Sequence, residues 1–539
     1  MSFDEHKNTV EPEVTMDDNP FSSFEDVNDT SKKQSKFSAF LTSSTGILVT
    51  IIATVLLIAG IVLLIIFDPF SKPDTDTNDD AVVEDRTITL MDKSKKNTVV
   101  VQKVNIENES GKYSILYNKD EDLFYIDGYE DILLSTDMSD RLQEYTAKLI
   151  AIDEVDGNNS LKDFGLDKPK STVTITFADK STTTIQVGNV TPDESGYYVT
   201  TDAADGVYIF ESDAALLFTY AKTAFVDITL ISAPTVKKDD ANGKALLKKV
   251  SYSGKNYPES FVLRRSYQSD SEEMTLFSYI ITDPYKRGTS DTIGNQLGTI
   301  SGLYAEQALV IHPTATEKKA MGFDNPLTVM DITMAVETSD TEDEDEIRYY
   351  NETTTRITVG SMDDESYIVM VDGIDVIFLV EKSYLSVLAE RTYENSVNPL
   401  LFAKNITEVG RITISLDDKT YDFNLKHFDT ENNNDSLKVT MDGKMYPTED
   451  FRELYSILMT LERYGNSDQK PSGDTVMTVK MYHNDGSLYM GAEYYSLDGS
   501  LCFVKTTEGE LFTTRWHYIS HFMEQVQNYI NGEKVMLLT

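Results

Sequence analysis

Leu161-Lys-Asp-Phe-Gly-Leu-Asp-Lys-Pro169 is a short segment that returns later in the chain as Lys318-Lys-Ala-Met-Gly-Phe-Asp-Asn-Pro326. Each copy is followed by residues that alternate between apolar and polar types, Val173-Thr-Ile-Thr-Phe177 and Met330-Asp-Ile-Thr-Met334. Alternation with a period of two is typical of a β-strand with one buried face. The two segments therefore predict the same step, from a turn into a strand, in two parts of the chain.

The likeness between these two regions continues beyond the segment and keeps one order. The matching pieces are Val187-Gly188 and Val359-Gly360, Glu194-Ser-Gly-Tyr-Tyr-Val199 and Glu365-Ser-Tyr-Ile-Val369, the strands Val207-Tyr-Ile-Phe210 and Val376-Ile-Phe-Leu379, and helices at 213–224 and 383–393. Agreement in order and spacing indicates an internal repeat.

The repeated segment itself is predicted to be a structural joint between a helical half and a sheet half. Its glycine would end a helical turn in the left-handed conformation, where glycine costs least. Its proline directs the chain into an extended strand, and its aspartate is expected to cap nearby backbone donors. The predicted joint residues are Gly165, Asp167, Pro169, Gly322, Asp324 and Pro326.

Strands and a helix are also predicted before each joint. In the first region the strands are at 97–106, 113–117 and 123–126 and the helix at 137–150; in the second they are at 248–253, 261–266 and 274–281, with a helix at 292–304. A fainter third copy has strands at 411–415, 421–425, 437–441, 476–482, 488–495 and 501–505 and helices at 448–464 and 515–530. Its joint is reduced to Tyr464-Gly-Asn-Ser-Asp-Gln-Lys-Pro471.

We therefore predict an α+β fold class, with tandem repeated modules of antiparallel sheet plus helices. The predicted modules span residues 84–232, 245–402 and, in divergent form, 405–535. The second copy also has an acidic insertion from Glu337 to Glu346 between two strands. We interpret it as a lengthened solvated turn. Calcium binding is the alternative, although the run lacks the alternating ligands and glycine of an EF-hand loop.

An apolar run precedes the modules: Gly46-Ile-Leu-Val-Thr-Ile-Ile-Ala-Thr-Val-Leu-Leu-Ile-Ala-Gly-Ile-Val-Leu-Leu-Ile-Ile-Phe67. With about 22 uncharged residues it is long enough to cross a bilayer as a helix and exceeds the apolar core of a cleaved signal peptide. Three lysines lie just before it and only Lys72 lies close after it, which favours a cytoplasmic N-terminus. We predict a disordered cytoplasmic tail at 1–45, an uncleaved transmembrane helix from Gly46 to Phe67 and a polar linker at 68–83.

Charge and cysteine content exclude two classes of protein. The formal net charge of the 539 residues is −42, so the chain should be repelled by phosphate backbones, and nucleic-acid binding is not expected. Cys502 is the only cysteine, which excludes an intramolecular disulfide and a disulfide-rich secreted fold. The predicted extracytoplasmic modules must therefore be held together by their cores alone.

No complete catalytic motif is found in the sequence. His517 and His521 lie four residues apart on a predicted helix and are weak candidates for a metal site, but they do not form His-Glu-x-x-His. Ser467-Asp-Gln-Lys470 lacks the partner motifs of penicillin-recognising enzymes. Cys502 is interpreted as a buried strand residue. His312, His427 and His483 are isolated in the sequence, and Tyr197, Tyr198, Tyr494 and Tyr495 are candidates for ligand contact.

The joint, Thr184-Ile-Gln-Val-Gly188, Gly196-Tyr-Tyr-Val199 and Val207-Tyr-Ile-Phe210 together resemble the bacterial domain of unknown function 4340 family. The resemblance covers residues 97–225 and, more weakly, 246–400 and 408–531. It implies a membrane-anchored envelope protein, in some cases an auxiliary component encoded with an ABC-type transporter. The family has no established catalytic residues, so the resemblance implies no site residue and no cofactor.

The sequence thus favours a single-pass membrane protein whose extracytoplasmic modules bind or scaffold another protein of the bacterial cell envelope. The expected partners are the lipid bilayer, through the apolar run, and an envelope protein; no cofactor is expected. The alternatives are an extracytoplasmic sensor of a cation or glycan and an exported hydrolase.

Overall fold

Three antiparallel sheets follow one another along the chain, and their strands are arranged in the same order. The strand of each sheet that comes first in the chain lies in the sheet's interior. On one side it pairs with the strands that follow it directly, and on the other side it pairs with a meander of four strands that come later in the chain. The last strand of the four-stranded meander pairs with a short strand that follows the helix between these two groups of strands. An α+β fold class built on antiparallel sheets is thereby confirmed.

The structure is a computed structural model that describes residues 87–538 with short gaps, and these residues belong to one compact unit. The gaps are residues 97, 156, 158–159, 268, 271–273, 275, 340–346, 417, 429–435, 467–470 and 498. The predicted tail, transmembrane helix and linker therefore lie outside the described residues. Among the residues described, no helix combines the length and apolar character needed to cross a membrane.

The first sheet is formed by the strands nearest the N-terminus of the described chain. The strands of this region are β1 (Ile88–Asp92), β2 (Val101–Asn108), β3 (Gly111–Asn118), β4 (Leu123–Ile126), β5 (Lys148–Ala151), β6 (Asp153–Glu154), β7 (Ser171–Phe177), β8 (Thr182–Val190), β9 (Gly196–Thr201) and β10 (Ala204–Glu211). Its order is β4-β3-β2-β7-β8-β9-β10-β6, and β1 and β5 form a separate pair. In β7, Val173 and Ile175 are buried whereas Thr172, Thr174 and Thr176, which alternate with them, are half-buried, as the period-two pattern predicts.

The second sheet repeats this order and has nine strands instead of eight. Its region contains β11 (Thr229–Ile231), β12 (Lys244–Ser253), β13 (Phe261–Arg265), β14 (Tyr279–Asp283), β15 (Arg287–Gly288), β16 (Leu303–Tyr304), β17 (Gln307–Ile311), β18 (Thr328–Ser339), β19 (Ile347–Met362), β20 (Ser366–Val371) and β21 (Ile374–Glu381). The order is β15-β14-β13-β12-β18-β19-β20-β21-β17, and β11 pairs with β16 outside the sheet.

The third sheet has the same order although its joint motif is reduced. Its strands are β22 (Val409–Leu416), β23 (Lys419–Lys426), β24 (Lys438–Met441), β25 (Lys444–Tyr446), β26 (Gly465–Asn466), β27 (Thr475–His483), β28 (Leu488–Ser496), β29 (Leu501–Thr506) and β30 (Leu511–Arg515). The order is β25-β24-β23-β22-β27-β28-β29-β30-β26. Cys502 in β29 is fully buried and lies in the hydrophobic cluster of this sheet.

Helices follow the meanders of all three sheets. They are α1 (Thr136–Ala147), α2 (Ser212–Leu217), α3 (Asp291–Gly298), α4 (Ala315–Ala320), α5 (Lys382–Ala389), α6 (Tyr393–Ser396), α7 (Thr448–Met459) and α8 (Trp516–Asn531), with 3-10 turns at Leu161–Phe164, Lys222–Phe225 and Ile406–Glu408. The buried side chains of α8, among them Ile519 and Phe522, lie in the core of the third sheet.

The joint in the first sheet is held by close contact with the Val-Gly step. Gly165 ends the 3-10 turn with φ +72°. Gly188 lies so close to this turn that a Cβ on it would be 2.3 Å from the carbonyl oxygen of Phe164. Two sequence features that appear separate in the chain are therefore one packed unit.

The second joint is built in the same way. Gly322 has φ +88°, and a Cβ on it would lie 2.3 Å from the carbonyl oxygen of Gly360. A Cβ on Gly360 would in turn lie 2.3 Å from the carbonyl oxygen of Met321. Only glycine allows the two backbones to approach this closely.

The aspartates of the joints do not have the capping role that the sequence predicted. Neither Asp167 nor Asp324 accepts a hydrogen bond from a backbone N–H of a described residue. Asp324 instead lies 3.9 Å from the Lys319 ammonium. The capping at the first joint comes from Ser160 and Asp163, which form a capping box one turn earlier. Pro169 and Pro326 lie two residues before β7 and β18.

Several predicted helices are shorter than their apolar patterns suggested. The helix predicted at 137–150 ends at Ala147, because the next residues form β5 and pair with β1. The helix at 292–304 likewise ends at Gly298, and β16 follows. The helix at 213–224 is broken into α2 and a 3-10 turn, and the one at 448–464 ends at Met459. In the first two cases strand pairing with the preceding part of the chain replaces the last helical turn.

The acidic insertion begins within β18, whose last residues are Glu337 to Ser339, and continues toward β19, which pairs with β18 in a hairpin as predicted. Its first residue, Glu337, is not part of a solvated turn. The Glu337 carboxylate accepts hydrogen bonds from Arg265 at 2.8–3.2 Å and from the Tyr349 hydroxyl at 2.8 Å. Residues 340–346 lie outside the described residues.

Candidate functional site

Two short strand pairs, one beside the first sheet and one beside the second, are built alike. β1 pairs with β5 and β11 pairs with β16, both antiparallel and both with a register shift directly after a threonine, Thr89 or Thr229. The two strands that enter these pairs have nearly the same sequence, Ile88-Thr-Leu-Met91 and Ile228-Thr-Leu-Ile231. We call such a segment an incoming strand, because it comes from the preceding part of the chain and pairs with the next sheet region.

The third sheet receives an equivalent segment, Pro399-Leu-Leu-Phe402. Here the Arg463 backbone N–H donates to the Pro399 carbonyl over 2.8 Å. At the preceding junction the Ala305 N–H donates to the Ile228 carbonyl over the same distance. The incoming segment is therefore attached to the following sheet by the same bond in both places.

The residues just before these segments pair with the sheet that the chain is leaving. Val226 forms an antiparallel bridge with Leu134, and Val397 forms the equivalent bridge with Thr289. A single stretch of about six residues thus makes backbone hydrogen bonds to residues beside the sheet behind it and to residues beside the sheet ahead. Because β-type hydrogen bonds fix both distance and direction, each junction sets the geometry of two consecutive sheets.

The first junction, between the first and second sheets, is mainly apolar. The buried side chains of these two sheets form one continuous hydrophobic cluster, which includes Val226, Leu230 and Leu303. A polar contact at the exposed edge of this junction joins His312 to Asp131. The His312 ring nitrogen lies 3.0 Å from both carboxylate oxygens of Asp131. The His312 ring also packs on Tyr129, with ring centroids 5.0 Å apart. His312, isolated in the sequence, is therefore a junction residue.

The second junction, between the second and third sheets, contains a buried ion cluster instead. Arg287 of β15 donates from Nε and Nη2 to one carboxylate oxygen of Glu510, at 3.1 and 2.8 Å, and from Nη1 to Glu508 at 2.7 Å. The Arg287 side chain is 10% exposed and that of Glu510 is 3% exposed. A charge buried to this extent is tolerated only when it is paired and hydrogen-bonded.

The second oxygen of Glu510 is bound by two further groups. The Tyr393 hydroxyl donates to it over 2.6 Å, and the Arg463 guanidinium contacts it through Nη1. Arg463 also donates to both oxygens of Glu394, at 2.6 and 2.8 Å from Nη2. One buried carboxylate of the third sheet therefore connects to Arg287 and Tyr393 of the second sheet region.

The electrostatics of this cluster favour its charged form. Burial alone would lower the pKa of Arg287, but the negative charges of Glu510 and Glu508 more than offset burial and raise it. Burial and the neighbouring Glu510 charge also raise the pKa of the Tyr393 hydroxyl, so that it stays a donor. Because each oxygen of Glu510 has its own donors, rotation of one sheet against the other would leave a buried charge unpaired.

The first junction lies inside a region that matches a known family. Residues 135–326 match the family model DUF4340, a domain of unknown function. The resemblance to the DUF4340 family is thus shown for this part of the chain. No curated protein and no solved structure matches the chain in the corresponding searches. The DUF4340 region runs from α1 through the first joint and the first junction to the second joint, so the family resemblance seen in the sequence is confirmed there.

A cleft of about 820 Å³ lies at the first junction, within and beside the DUF4340 region. Its walls carry carboxylates and hydroxyls from both sheet regions: Asp131, Asp227, Glu352, Asp372, Thr229, Ser232, Thr235, Thr353 and Thr355. The described residues that line it include no lysine or arginine. Three of the carboxylates have partners, since Asp131 contacts His312, Glu352 forms an ion pair with Lys248, and Asp227 accepts a hydrogen bond from the Thr229 backbone N–H over 2.9 Å.

A second groove of about 990 Å³ lies on the first sheet, where α1 approaches β4. Leu123 and Leu133 line it and are 53% and 67% exposed. Leu133 also lines the junction cleft, so the two depressions share one wall.

The histidine pair on α8 is not assembled into a metal site. The His521 ring nitrogen lies 2.9 Å from the Met536 carbonyl, and the His517 ring packs on Tyr518 at 4.3 Å. In the part of the chain that the structure describes, no three side chains of His, Cys, Asp or Glu are grouped to hold a metal ion. Ser467-Asp-Gln-Lys470 lies outside the described residues.

The tyrosines that were candidates for ligand contact have different surroundings. Tyr494 is buried in the core of the third sheet, so it is not a surface contact. Tyr495 donates to Glu493 over 2.7 Å. Tyr198 packs on Phe164 of the joint at 4.6 Å, and Tyr197 lies 5.5 Å from the Lys170 ammonium. Both therefore support the joint.

Sequence reasoning missed the ion cluster entirely. Glu508 and Glu510 flank a glycine between two short strands, a pattern that normally indicates a solvated hairpin turn. Arg287 and Arg463 are single basic residues far apart in the sequence. The signal that could have been found is the repeated incoming strand, Ile88-Thr-Leu-Met91 and Ile228-Thr-Leu-Ile231, which predicts where consecutive sheets meet.

Proposed function

We propose that this chain is a single-pass membrane-anchored scaffold of the bacterial cell envelope, in which three copies of one α+β module bind another envelope protein outside the cytoplasm. The observation that carries the proposal is the pair of junctions. At each junction a short stretch of chain hydrogen-bonds to the sheet regions on both sides of it, and the second junction adds the buried cluster of Arg287, Arg463 and Glu510. A scaffold requires sheets in fixed relative positions, whereas an isolated catalytic domain does not.

The proposed anchor is the apolar run from Gly46 to Phe67. Its length suits a bilayer, and the lysines on its N-terminal side favour a cytoplasmic tail. β1, which begins at Ile88, is the incoming strand of the first sheet. The chain that leads from the proposed anchor would therefore enter the first module as a paired strand.

The proposed partner is an envelope protein, and the family resemblance implies an ABC-type transporter as one candidate. The formal charge of −42 favours a protein partner over nucleic acid or the anionic heads of lipids. Binding to another protein also requires no catalytic residue.

Membrane topology tests the proposal most simply. Native Cys502 is buried and should not react with a maleimide, so an introduced surface cysteine can be labelled alone. In intact cells, a membrane-impermeant maleimide should label Asp364→Cys, at an exposed position of the second sheet, and should spare Ser2→Cys until the membrane is permeabilised. Labelling of Ser2→Cys alone, or recovery of the full chain in the soluble fraction, would contradict the proposal.

A second candidate function is a ligand sensor, which the cleft at the first junction favours. Its carboxylates and hydroxyls suit a cation or a polyhydroxylated ligand such as a glycan. If this is its role, Asp227→Asn together with Asp372→Asn should abolish a ligand-induced rise in melting temperature, measured with Ca²⁺ and with soluble cell-wall fragments. Unchanged melting temperatures with both probes would exclude it.

A further inference from the structure

The groove beside β4 lies at an edge that carries one more strand in the other two sheets. The second sheet continues beyond β14 with β15, and the third continues beyond β24 with β25, whereas the first sheet ends at β4. The chain that follows β4 makes only an isolated bridge, from Tyr129 to Ile126. Among the described residues, the outer edge of β4 from Leu123 to Tyr125 therefore has no strand beside it.

The first two sheets can be compared residue by residue at this edge. The Leu133 carbonyl accepts a hydrogen bond from the Asp227 N–H over 2.9 Å, and the Gly288 carbonyl accepts one from the Asn398 N–H over 2.8 Å. Both positions also lie two residues before the serine at the N-cap of the next helix, α1 or α3. Leu133 and Gly288 are therefore equivalent in the two sheet regions.

The second sheet fills the space at this position with its own chain. A Cβ on Gly288 would lie 2.3 Å from the ring of Phe277, which belongs to the connection of residues 266–278 between β13 and β14. The corresponding connection in the first sheet is only residues 119–122. Leu133 does not replace the missing ring as a buried group, because it is 67% exposed, and Leu123 beside it is 53% exposed. The groove thus lacks both a strand and an apolar side chain that the second sheet supplies from within.

The rim of the groove is acidic. Four carboxylates and one ammonium group line it: Glu121, Asp122, Glu130, Asp140 and Lys119. Three of these carboxylates accept hydrogen bonds from neutral groups, namely a tyrosine hydroxyl, an asparagine amide and a backbone N–H. Their charge therefore favours a basic ligand. It disfavours a second copy of this chain, which has a formal charge of −42.

We propose that this groove binds an extended segment of a partner protein, which pairs with the outer edge of β4, packs a large apolar side chain on Leu123 and Leu133, and carries lysine or arginine toward the acidic rim. The second sheet provides the argument for this occupant, since β15 and Phe277 cover the equivalent surface there. An unpaired strand edge accepts such a segment by strand addition, in which backbone hydrogen bonds supply affinity and side chains supply specificity. This inference names a contact surface of the scaffold proposed above and rests on that role.

Peptide binding to the full chain in non-ionic detergent tests the docking groove. The probe is a fluorescent heptapeptide with a central phenylalanine, a valine on each side of it, and a lysine two positions away in both directions. In an extended strand the two lysines share the face of the phenylalanine. Fluorescence anisotropy should show saturable binding. Replacing the lysines by glutamate, or one valine by proline, which cannot donate a backbone hydrogen bond, should weaken binding at least tenfold.

Variants of the chain locate the binding site. Leu133→Asp should weaken binding of the lysine peptide at least tenfold, whereas Leu276→Asp, at a position of the second sheet region that is 69% exposed, should not. Both changes are at exposed positions and should leave the melting temperature unchanged. Amide hydrogen exchange at residues 123–126 should slow when the peptide is bound. Failure of the lysine peptide to bind, equal binding of the three peptides, or equal effects of the two variants would overturn the inference.

Photo-crosslinking in intact cells identifies the natural occupant. A benzophenone amino acid at Leu123 should give an adduct with another protein, and the crosslinked peptide should contain lysine or arginine close to a large apolar residue. An adduct with a second copy of the chain, with residues 1–86 of the same chain or with lipid only would overturn the inference. If the inference fails while maleimide labelling still places Asp364→Cys outside the cytoplasm, the proposed anchored scaffold stands and only its contact surface is wrong.

Discussion

Gly188 and Phe164 meet so closely that a side chain on the glycine has no room, because a Cβ would lie 2.3 Å from the Phe164 carbonyl oxygen. The contact joins the strand β8 to the turn that contains the repeated sequence motif. Its counterpart in the second sheet joins Gly360 to Met321 at the same distance. The motif therefore packs through its backbone against the Val-Gly step, which explains why that step contains glycine in both copies.

The first prediction concerns this contact. Gly188→Ala should lower the free energy of unfolding by about 1–3 kcal/mol, since overpacking against a backbone atom forces a local shift. Urea denaturation of the full chain in detergent, followed by tyrosine fluorescence, measures the change. Gly298→Ala is the matched control, because a Cβ there meets nothing within 4 Å; it should be neutral or slightly stabilising. Equal effects of the two variants would show that the contact is not close.

The second prediction concerns the buried ion cluster. Glu510→Gln should lower the free energy of unfolding of the third sheet by about 3–5 kcal/mol, because the charges of Arg287 and Arg463 would lose their shared partner. Arg287→Met alone should be similarly costly. The double variant should cost clearly less than the sum, since neither charge is then left buried and unpaired. Additive effects in this double-mutant cycle would mean that the two side chains do not interact.

The third prediction is a pH dependence at Asp270. Arg264 donates to both oxygens of Asp270, at 2.8 and 2.7 Å, and these bonds hold the pKa of the Asp270 carboxyl well below its usual value. A lowered folded pKa stabilises the fold above the unfolded value of about 3.9, and this stabilisation is lost as pH falls toward the folded pKa. Asp270→Asn should therefore be destabilising at pH 7.

The difference between wild type and Asp270→Asn should shrink steadily below about pH 4, the pKa of an unfolded aspartate. Urea midpoints measured from pH 7 down to pH 2 follow it. Asp364→Asn, at an exposed position, serves as the control and should leave the midpoint unchanged. A difference that stays constant or grows in acid would contradict the assigned ion pair.

The fourth prediction concerns residues 536–538, which follow α8. His521→Ala should remove the bond to the Met536 carbonyl and speed amide hydrogen exchange at residues 536–538. The melting temperature should change little, because that bond lies at an exposed position. Exchange that is equally fast in the parent chain would show that the segment is not held by α8.

The sequence was sufficient to predict most of the longer strands, because they have one buried face and so alternate with a period of two, but it did not predict β1, β5, β11, β16, β17 or β30. It also predicted the positions of both joints, where glycine and proline restrict the backbone locally. Helix ends were less predictable, since Leu149 and Leu303 continue an apolar pattern but are taken into strands by pairing with distant residues. Helix propensity reflects only the local preference of the backbone, and strand pairing with distant residues overrides it.

The junctions could not be predicted for a similar reason. Arg287 and Glu510 are more than two hundred residues apart, and each has a sequence context that suits a solvated charge. His312 and Asp131 are likewise joined only by the fold. The membrane anchor, in contrast, is predicted from the apolar composition of residues 46–67 alone. It stays a prediction because these residues lie outside the described residues.

The most direct measurement of the scaffold role is the distance between the second and third sheets in solution. Spin labels on Asp364→Cys and Lys505→Cys, both exposed, can be compared by pulsed electron paramagnetic resonance because buried Cys502 should stay unlabelled. Sheets fixed by the junction predict one narrow distance distribution, which Glu510→Gln should broaden. A broad distribution in the parent chain, unchanged by Glu510→Gln, would contradict a scaffold of fixed geometry.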